Sequence, residues 1–484
     1  MILPSGISSV WAAAAFLTFI PMSYVSALID PIEVDGKQFV YSSTKEPFYI
    51  RGVDYQPGDS SDVNYEHDPL TDANVCARDI LLFQDLGINT IRIYSVNPDL
   101  NHDKCMSMLA TAGMYLILDV NSPLPNQHLN RYEPWTSYNP VYLEHVFKVV
   151  AQFSHYNNTL GFFAGNEVVN DRRSAQYSPT YIKALVGDMK AYQEEHCERK
   201  VPIGYSAADD LNYRVPLASY LECSEDSTND MSVDFYGVNS YQWCGKQTMQ
   251  TSGYDKLVDA YRTYSKPVFL SEFGCNRVLP RTFEEISPLY SGDMYTTFSG
   301  GLVYEYSQED NNYGLIQLDD DGNAQILQDF HSLKKQYEKV EMPSREDVEE
   351  AIANDPIMSE IDKNHSPLCQ SKYENLNIKT KIEKGLASSL IKHGVSVEKG
   401  EYVPLTEEDM ETTYAISDVD GTDWKTNRRI KAIRDAEPIS FKDPSESKDD
   451  ENFEEPKRNS SDLINVSLWC ILFAYLLNFM FCSL

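Results

Sequence analysis

Two apolar runs end in glutamates. One is Gly161-Phe162-Phe163-Ala164-Gly165-Asn166-Glu167, the other Val268-Phe269-Leu270-Ser271-Glu272-Phe273-Gly274. Short runs of this kind read as buried parallel strands, whose last residues stand at the mouth of the sheet. Two carboxyl groups facing one gap can cleave a glycosidic bond with retained configuration, one as proton donor and one as nucleophile. Retention needs them about 5–5.5 Å apart. Their acidities must also diverge, with the donor held up and the nucleophile ionised. A lone glutamate at a strand end is as often the partner of an arginine. Asn166-Glu167 on one strand with Glu272 on another favours catalysis. Asn166 is placed to hydrogen-bond a sugar 2-hydroxyl, a contact that strengthens in the transition state.

Aromatic supply is high, with 32 tyrosines. Tyr55, Tyr94, Tyr241, Tyr304 and Tyr306 fall at expected strand ends. Sugars present apolar C–H faces and polar edges, and tyrosine matches both. Tyr55 and Tyr306 read equally well as packing residues. Tyr241 is a candidate donor to Glu272, keeping it ionised and aligned. The histidines His67, His102, His128, His145 and His155 are scattered without metal-ligand spacing, so no metal is expected. No Gly-x-Ser-x-Gly elbow supports serine hydrolysis, and nothing calls for a cofactor.

These residues need a frame. Eight apolar strand candidates run along the chain: Phe48–Gln56, Ile88–Val96, Met114–Asn121, Leu160–Val168, Val201–Ala207, Val233–Tyr241, Pro267–Gly274 and Gly301–Ser307. Helix-like stretches lie between most of them, among them Cys76–Leu86, Val141–His155, Thr180–His196, Tyr254–Tyr264 and Phe283–Phe298. Eightfold strand–helix alternation gives an α/β fold, a (β/α)8 barrel, with chemistry at the C-terminal strand ends. An open doubly wound sheet is the runner-up, disfavoured because no glycine-rich phosphate fingerprint follows the first strand. The strand ends are polar or aromatic throughout, as a sugar site requires.

The chain has 484 residues. Residues 1–27 read as a secretory signal peptide, with an apolar run from Val10 and a small-residue site at Val25-Ser26-Ala27. The apolar run Leu468–Leu484 follows a short spacer and the small residues Asn459-Ser460-Ser461. That order reads as a glycosylphosphatidylinositol (GPI) signal over 460–484, with Asn459 as the attachment residue. The catalytic barrel is expected over 28–340. Residues 341–459 are charged and poor in aromatics, and read as an acidic, largely irregular linker or extension, solvated for the most part. Tyr373–Pro404 has more apolar residues, and Cys369 implies at least one tie back. The formal net charge of −32 argues against a nucleic-acid partner.

Nine cysteines are present. Cys470 and Cys482 lie in the tail. Of the remaining seven, an odd one stays unpaired. Cys197, in a polar helix end, is the candidate. The other six pair in fifteen possible ways. Asn157 and Asn364 are glycosylation sequons.

Several segments together resemble the fungal β-1,3-glucanosyltransferases, glycolipid-anchored surface proteins of glycoside hydrolase family 72. They are Arg51-Gly52-Val53-Asp54-Tyr55-Gln56-Pro57-Gly58, Gly165-Asn166-Glu167, Tyr205-Ser206-Ala207-Ala208-Asp209, Phe235-Tyr236-Gly237-Val238-Asn239, Ser271-Glu272-Phe273-Gly274-Cys275-Asn276 and Gly301-Leu302-Val303-Tyr304-Glu305. The likeness runs from about residue 30 to 340. It implies a barrel enzyme that cleaves an internal linkage of wall β-1,3-glucan and transfers the new reducing end to another chain's non-reducing end. It implies Glu167 as acid/base and Glu272 as nucleophile. Gln56, Tyr94, Asp119, Asn121, Asn166 and Tyr304 become donor-side contacts; Asp209, Arg214 and Tyr241 become acceptor-side or supporting ones. It also implies the disulfides Cys76–Cys105, Cys223–Cys369 and Cys244–Cys275. Many members carry a cysteine-rich glucan-binding module after the barrel. In this chain only Cys369 lies between the barrel and the tail, so it resembles the short subfamily, some of whose members build spore walls. The expected protein is a monomer on the outer face of the plasma membrane, held by a GPI anchor. The competing readings are a retaining endo-β-1,3-glucanase and a non-catalytic wall-binding protein.

Overall fold

The computed structural model describes residues 29–58, 68–224, 230–361, 366–424 and 428–433. The signal peptide, Asn364, Asn459 and the GPI signal lie outside them.

Eight parallel strands close into a barrel: Ile50–Asp54, Thr90–Ile93, Tyr115–Asp119, Thr159–Asn166, Ile203–Ala207, Phe235–Asn239, Val268–Phe273 and Phe298–Val303. All eight overlap the runs read from the sequence. Helices Ala73–Leu86, Asp103–Thr111, Pro140–Phe153, Pro179–His196, Arg214–Glu222, Tyr254–Tyr261 and Gln328–Tyr337 accompany them. Their ends follow local chemistry. Asp72 caps Ala73–Leu86 by accepting from the Asn74 and Val75 amides, and Gly87 ends it at φ 75°. Asn139 caps Pro140–Phe153, with proline at the first helical position. The helix expected over Phe283–Phe298 shrinks to Ile286–Leu289. Pro288 offers no amide hydrogen, and Ser291-Gly292 follow at once.

The hairpin Ile32–Asp35/Gln38–Tyr41 closes the N-terminal end of the barrel. Its Phe39 ring packs 5.7 Å from Phe235 and 6.0 Å from Phe269. Phe163 joins them at 5.3 and 5.9 Å, completing an aromatic floor of edge and tilted contacts. Gly204 is small for this reason: a Cβ there would meet the Phe235 ring at 2.2 Å. Above the floor lie polar residues, the hydroxyls of Ser206 and Ser271 and the buried Arg92. The interior thus changes from apolar to charged toward the C-terminal strand ends.

The charged runs after residue 340 gave the expectation of a solvated linker. The extension is largely irregular, yet it packs on the barrel through apolar residues spaced singly: Val348, Tyr373, Leu405, Ile416, Trp424 and Ile430 are all buried. Ile416–Ser417 pairs with Ala324–Ile326. Tyr402 donates to the Asn158 side chain at 2.7 Å. Disulfides join Cys76–Cys105, Cys223–Cys369 and Cys244–Cys275, while Cys197 is free and buried. Among the described residues no helix is long and apolar enough to cross a membrane.

The Cys223–Cys369 bridge spans 146 positions and ties the extension to the barrel. Replacing both cysteines with alanine should lower the unfolding free energy by about 3 kcal/mol. Denaturant melts measure this, and limited proteolysis should then cut within 366–424 before it cuts the barrel.

Candidate active site

Glu272 lies in the seventh strand, its Cα in register with Asn239 of the sixth. Its side chain accepts from three donors. The Tyr94 hydroxyl reaches Oε1 at 2.9 Å, the Tyr241 hydroxyl reaches Oε2 at 2.8 Å, and Arg92 Nη1 stands 3.3 Å from Oε1. Arg92 is held in turn by Asp119, with Nε and Nη2 at 2.9 and 3.3 Å from its two oxygens. Its guanidinium stacks 4.3 Å from the Tyr94 ring and 4.6 Å from Phe163. Such a planar, bidentate and stacked position suits arginine and not lysine.

Glu167 follows the fourth strand directly, with φ 49°. A left-handed conformation is uncommon outside glycine and concentrates at functional sites. Its amide is pinned to the Ser206 carbonyl at 2.9 Å. The carboxylate accepts from Asn239 Nδ2 at 2.8 Å, which also stands 3.4 Å from Asn166 Oδ1. Ser206 and Ser271 donate to Asn239 Oδ1 at 3.1 and 2.8 Å, which fixes the amide with its NH2 toward Glu167. One asparagine therefore sits beside both glutamates: in register with one, hydrogen-bonded to the other.

A cleft of about 1110 Å³ opens over these groups. Its walls include Tyr94, Asp119, Asn121, Asn166, Glu167, Tyr241, Glu272 and Tyr304, eight of the residues singled out from the sequence. Tyr241, Tyr304 and Tyr313 form an edge-to-face cluster with centroids 5.2–6.3 Å apart.

Gln56, Asp209 and Arg214 stand behind the walls. Gln56 Oε1 accepts from the Tyr94 and Ser95 amides, both at 3.1 Å. Asp209 accepts from Arg214 at 2.6 Å and from the Tyr241 amide at 3.1 Å. They position the two tyrosines that hold Glu272. Tyr55 and Tyr306 leave the site altogether. Both are buried against the helix layer and donate to Asp79. Asn157 is half-buried in the turn before the fourth strand, at the end away from the cleft. Residues the sequence reading passed over are Arg92, Asn239, Tyr313 and Asp54. The polar endings Arg92-Ile93-Tyr94 and Asn239-Ser240-Tyr241 were the available signal. Among the described residues no cluster of three or more His, Cys, Asp or Glu side chains has the placement to hold a metal ion.

The two key carboxyl groups have different surroundings. Burial pushes Glu272 above the ordinary carboxylic range, and the Glu167 charge adds to it; Arg92 and the two phenols oppose that rise. Among the described residues Glu167 accepts from one neutral amide, that of Asn239. Asp54 is fully buried, and neither oxygen finds a hydrogen-bond partner among the described residues. Its nearest cation, Arg92 Nη1, is 3.9 Å away. Burial holds this carboxyl well above its usual range, and the neighbouring Glu272 charge pushes the same way.

The profile of glycoside hydrolase family 72, glucanosyltransferase, matches residues 22–341. The chain is 58% identical over 455 residues to the 1,3-beta-glucanosyltransferase GAS4 of Saccharomyces cerevisiae, covering 92% of this chain and 94% of that protein. It is 47% identical to the 1,3-beta-glucanosyltransferase gel2 of Aspergillus fumigatus, over 68% of each. Among solved structures it resembles Saccharomyces cerevisiae Gas2p in complex with laminaritetraose and laminaripentaose. There the TM-score is 0.63 and the identity 37%, covering 73% of this chain and 74% of that one. The chain belongs to the glucanosyltransferase family, and it has that family's barrel.

Asp54→Asn tests the neutral carboxyl. The unfolded chain loses this proton near the ordinary aspartate value, while burial lets the folded chain hold it to higher pH. The wild type therefore loses stability as pH rises above that value, and asparagine does not. Melting temperatures of variant and wild type should agree near pH ~3 and separate in the variant's favour by neutral pH. A constant difference across that range would contradict a neutral Asp54.

Proposed function

We propose that this protein is a retaining β-1,3-glucan transglycosylase, with Glu272 as nucleophile and Glu167 as general acid/base. The supporting observation is the unequal grip on two glutamates lining one cleft. Glu272 has a guanidinium and two phenols on its oxygens. These donors aim the carboxyl and oppose the upward push that burial gives it. Glu167 accepts, among the described residues, from the neutral Asn239 amide and from no cation.

In the first step Glu272 attacks the anomeric carbon while Glu167 gives its proton to the departing glycosidic oxygen. The bond between C1 and that oxygen breaks, and an ester to Glu272 forms. In the second step Glu167 takes the proton of an acceptor 3-hydroxyl. That oxygen attacks C1, the ester breaks, and a new β-1,3 linkage results. Transfer wins over hydrolysis where the acceptor is held against the anomeric carbon. The Tyr241–Tyr304–Tyr313 cluster supplies amphipathic faces for that purpose. Transfer itself is carried by the named activity of the relatives.

Residues 1–27 then act as a signal peptide, 460–484 as the GPI signal and Asn459 as the anchor site. Residues 28–340 are the catalytic barrel. The enzyme works as a monomer on the outer face of the plasma membrane, on cell- or spore-wall glucan.

Incubation with one β-1,3-oligosaccharide of defined length should give products longer than the donor; only shorter ones would mean an endoglucanase. Glu272→Gln and Glu167→Gln should each lower transfer by about a thousandfold or more. Full activity in Glu272→Gln would overturn the nucleophile assignment.

Tyr241→Phe removes a donor to the ionised Glu272. Its carboxyl should rise further, so the acid limb of the kcat/KM profile should move to higher pH. A limb that stays in place would mean that Glu272 does not govern it.

A further inference from the structure

Beside the cleft the surface changes character. Among the described residues, every phenylalanine, tyrosine and tryptophan is buried or half-buried except two, Trp135 and Tyr177. Trp135 is 51% exposed and Tyr177 38%. They are neighbours, edge to face, with centroids 5.4 Å apart. Together they form an exposed aromatic patch rather than singly scattered residues.

The two rings come from different loops. Trp135 lies in the short helix Pro134–Ser137, after the third barrel strand. Tyr177 ends the helix Arg172–Tyr177, which follows the strand that leads to Glu167. The loops are stitched together. Ser178 Oγ donates to the Arg131 carbonyl at 2.7 Å, and the Tyr132 hydroxyl donates to Asp171 at 3.0 Å. Arg173 lies over the Tyr132 ring at 4.8 Å. Asn130, Arg131 and Tyr132 are themselves walls of the catalytic cleft. The exposed pair therefore continues the cleft surface outward, only three residues along the chain from a wall residue.

Both rings are also held from behind. The Asn130 amide donates to Ser137 Oγ at 2.8 Å. Asp171 and Ser174 form a capping box on the Tyr177 helix. The C-terminal extension braces the same helix: the Asn377 amide donates to the Ala175 carbonyl at 3.1 Å, and its side chain to the Gln176 carbonyl at 2.9 Å. An apolar aromatic pair fixed in water and open on one side is matched by a ligand with an apolar face and hydroxyl edges. A pyranose ring has that form.

We infer that Trp135 and Tyr177 form a distal sugar-binding subsite, taking a glucosyl unit of a long β-1,3-glucan chain whose reacting end lies in the cleft. The inference rests on the glucan reading above and adds a length dependence to it. Oligosaccharides too short to leave the cleft do not reach the pair. Longer ones stack on it, and the extension behind Tyr177 keeps the platform rigid.

Calorimetric binding of a ladder of defined β-1,3-gluco-oligosaccharides to the Glu272→Gln protein tests this without turnover. Affinity should rise again at the length that first reaches the pair. Trp135→Ala in the same background should remove that rise, weakening the long ligands roughly five- to tenfold. The short ligands should bind unchanged. Trp135→Phe should restore most of the loss, and thermal melts should show all three proteins equally folded. Equal weakening at every length, or none at any length, would overturn the subsite. The glucan reading fails separately, if the ladder does not bind the unmodified Glu272→Gln protein at all.

Discussion

One buried cation organises the centre of this barrel. Arg92 is fully enclosed. It rests on the Phe163 ring, is clamped by Asp119, and points Nη1 at both Glu272 and the Ser271 carbonyl. A guanidinium removed from water is costly unless its donors are met. Here carboxylates and a carbonyl meet them, and the nucleophile candidate is one of the partners. The carboxylates would repel one another without the cation. Asp54, beside them, has no donor among the described residues, and burial holds its carboxyl well above the usual range. The arrangement sets Glu272 among a guanidinium and two phenols at the polar end of the barrel, where these donors oppose the upward push of burial.

The rest of the fold serves that position. The N-terminal hairpin and the three phenylalanines fill the floor, so that charge occurs only near the mouth. Asn239 sets the relation between the two glutamates, because the strand that pairs with Glu272 also supplies the donor to Glu167. Gln56 and the Asp209–Arg214 pair hold the backbone of Tyr94 and Tyr241, and these hold Glu272. The extension adds a further layer. It packs against the barrel and reaches the helix that carries Tyr177.

Much of this was legible in the residues. The eight strands, the two glutamates and eight of the cleft walls follow from apolar runs that end in polar groups. The side of the strand was not always legible. Asp54, Tyr55 and Gln56 read alike as a polar ending, but alternation sends Tyr55 outward to Asp79 and leaves Asp54 inside. The role of Arg92 was hidden because its partners come from the third and seventh strands, which no local pattern connects. The packing of the extension was hidden too: its buried residues are single and without period, amid charged runs. The cysteine pairings were open from the residues alone, and came from the family resemblance.

The central claim is that Glu272 carries the covalent intermediate. A 2-fluoro-substituted β-1,3-glucosyl donor with an activated leaving group slows the second step and traps that species, and peptide mass spectrometry then locates it. The account predicts one glycosyl adduct, on the peptide that contains Glu272. An adduct on Glu167, or inversion of the anomeric centre with no adduct, would contradict it.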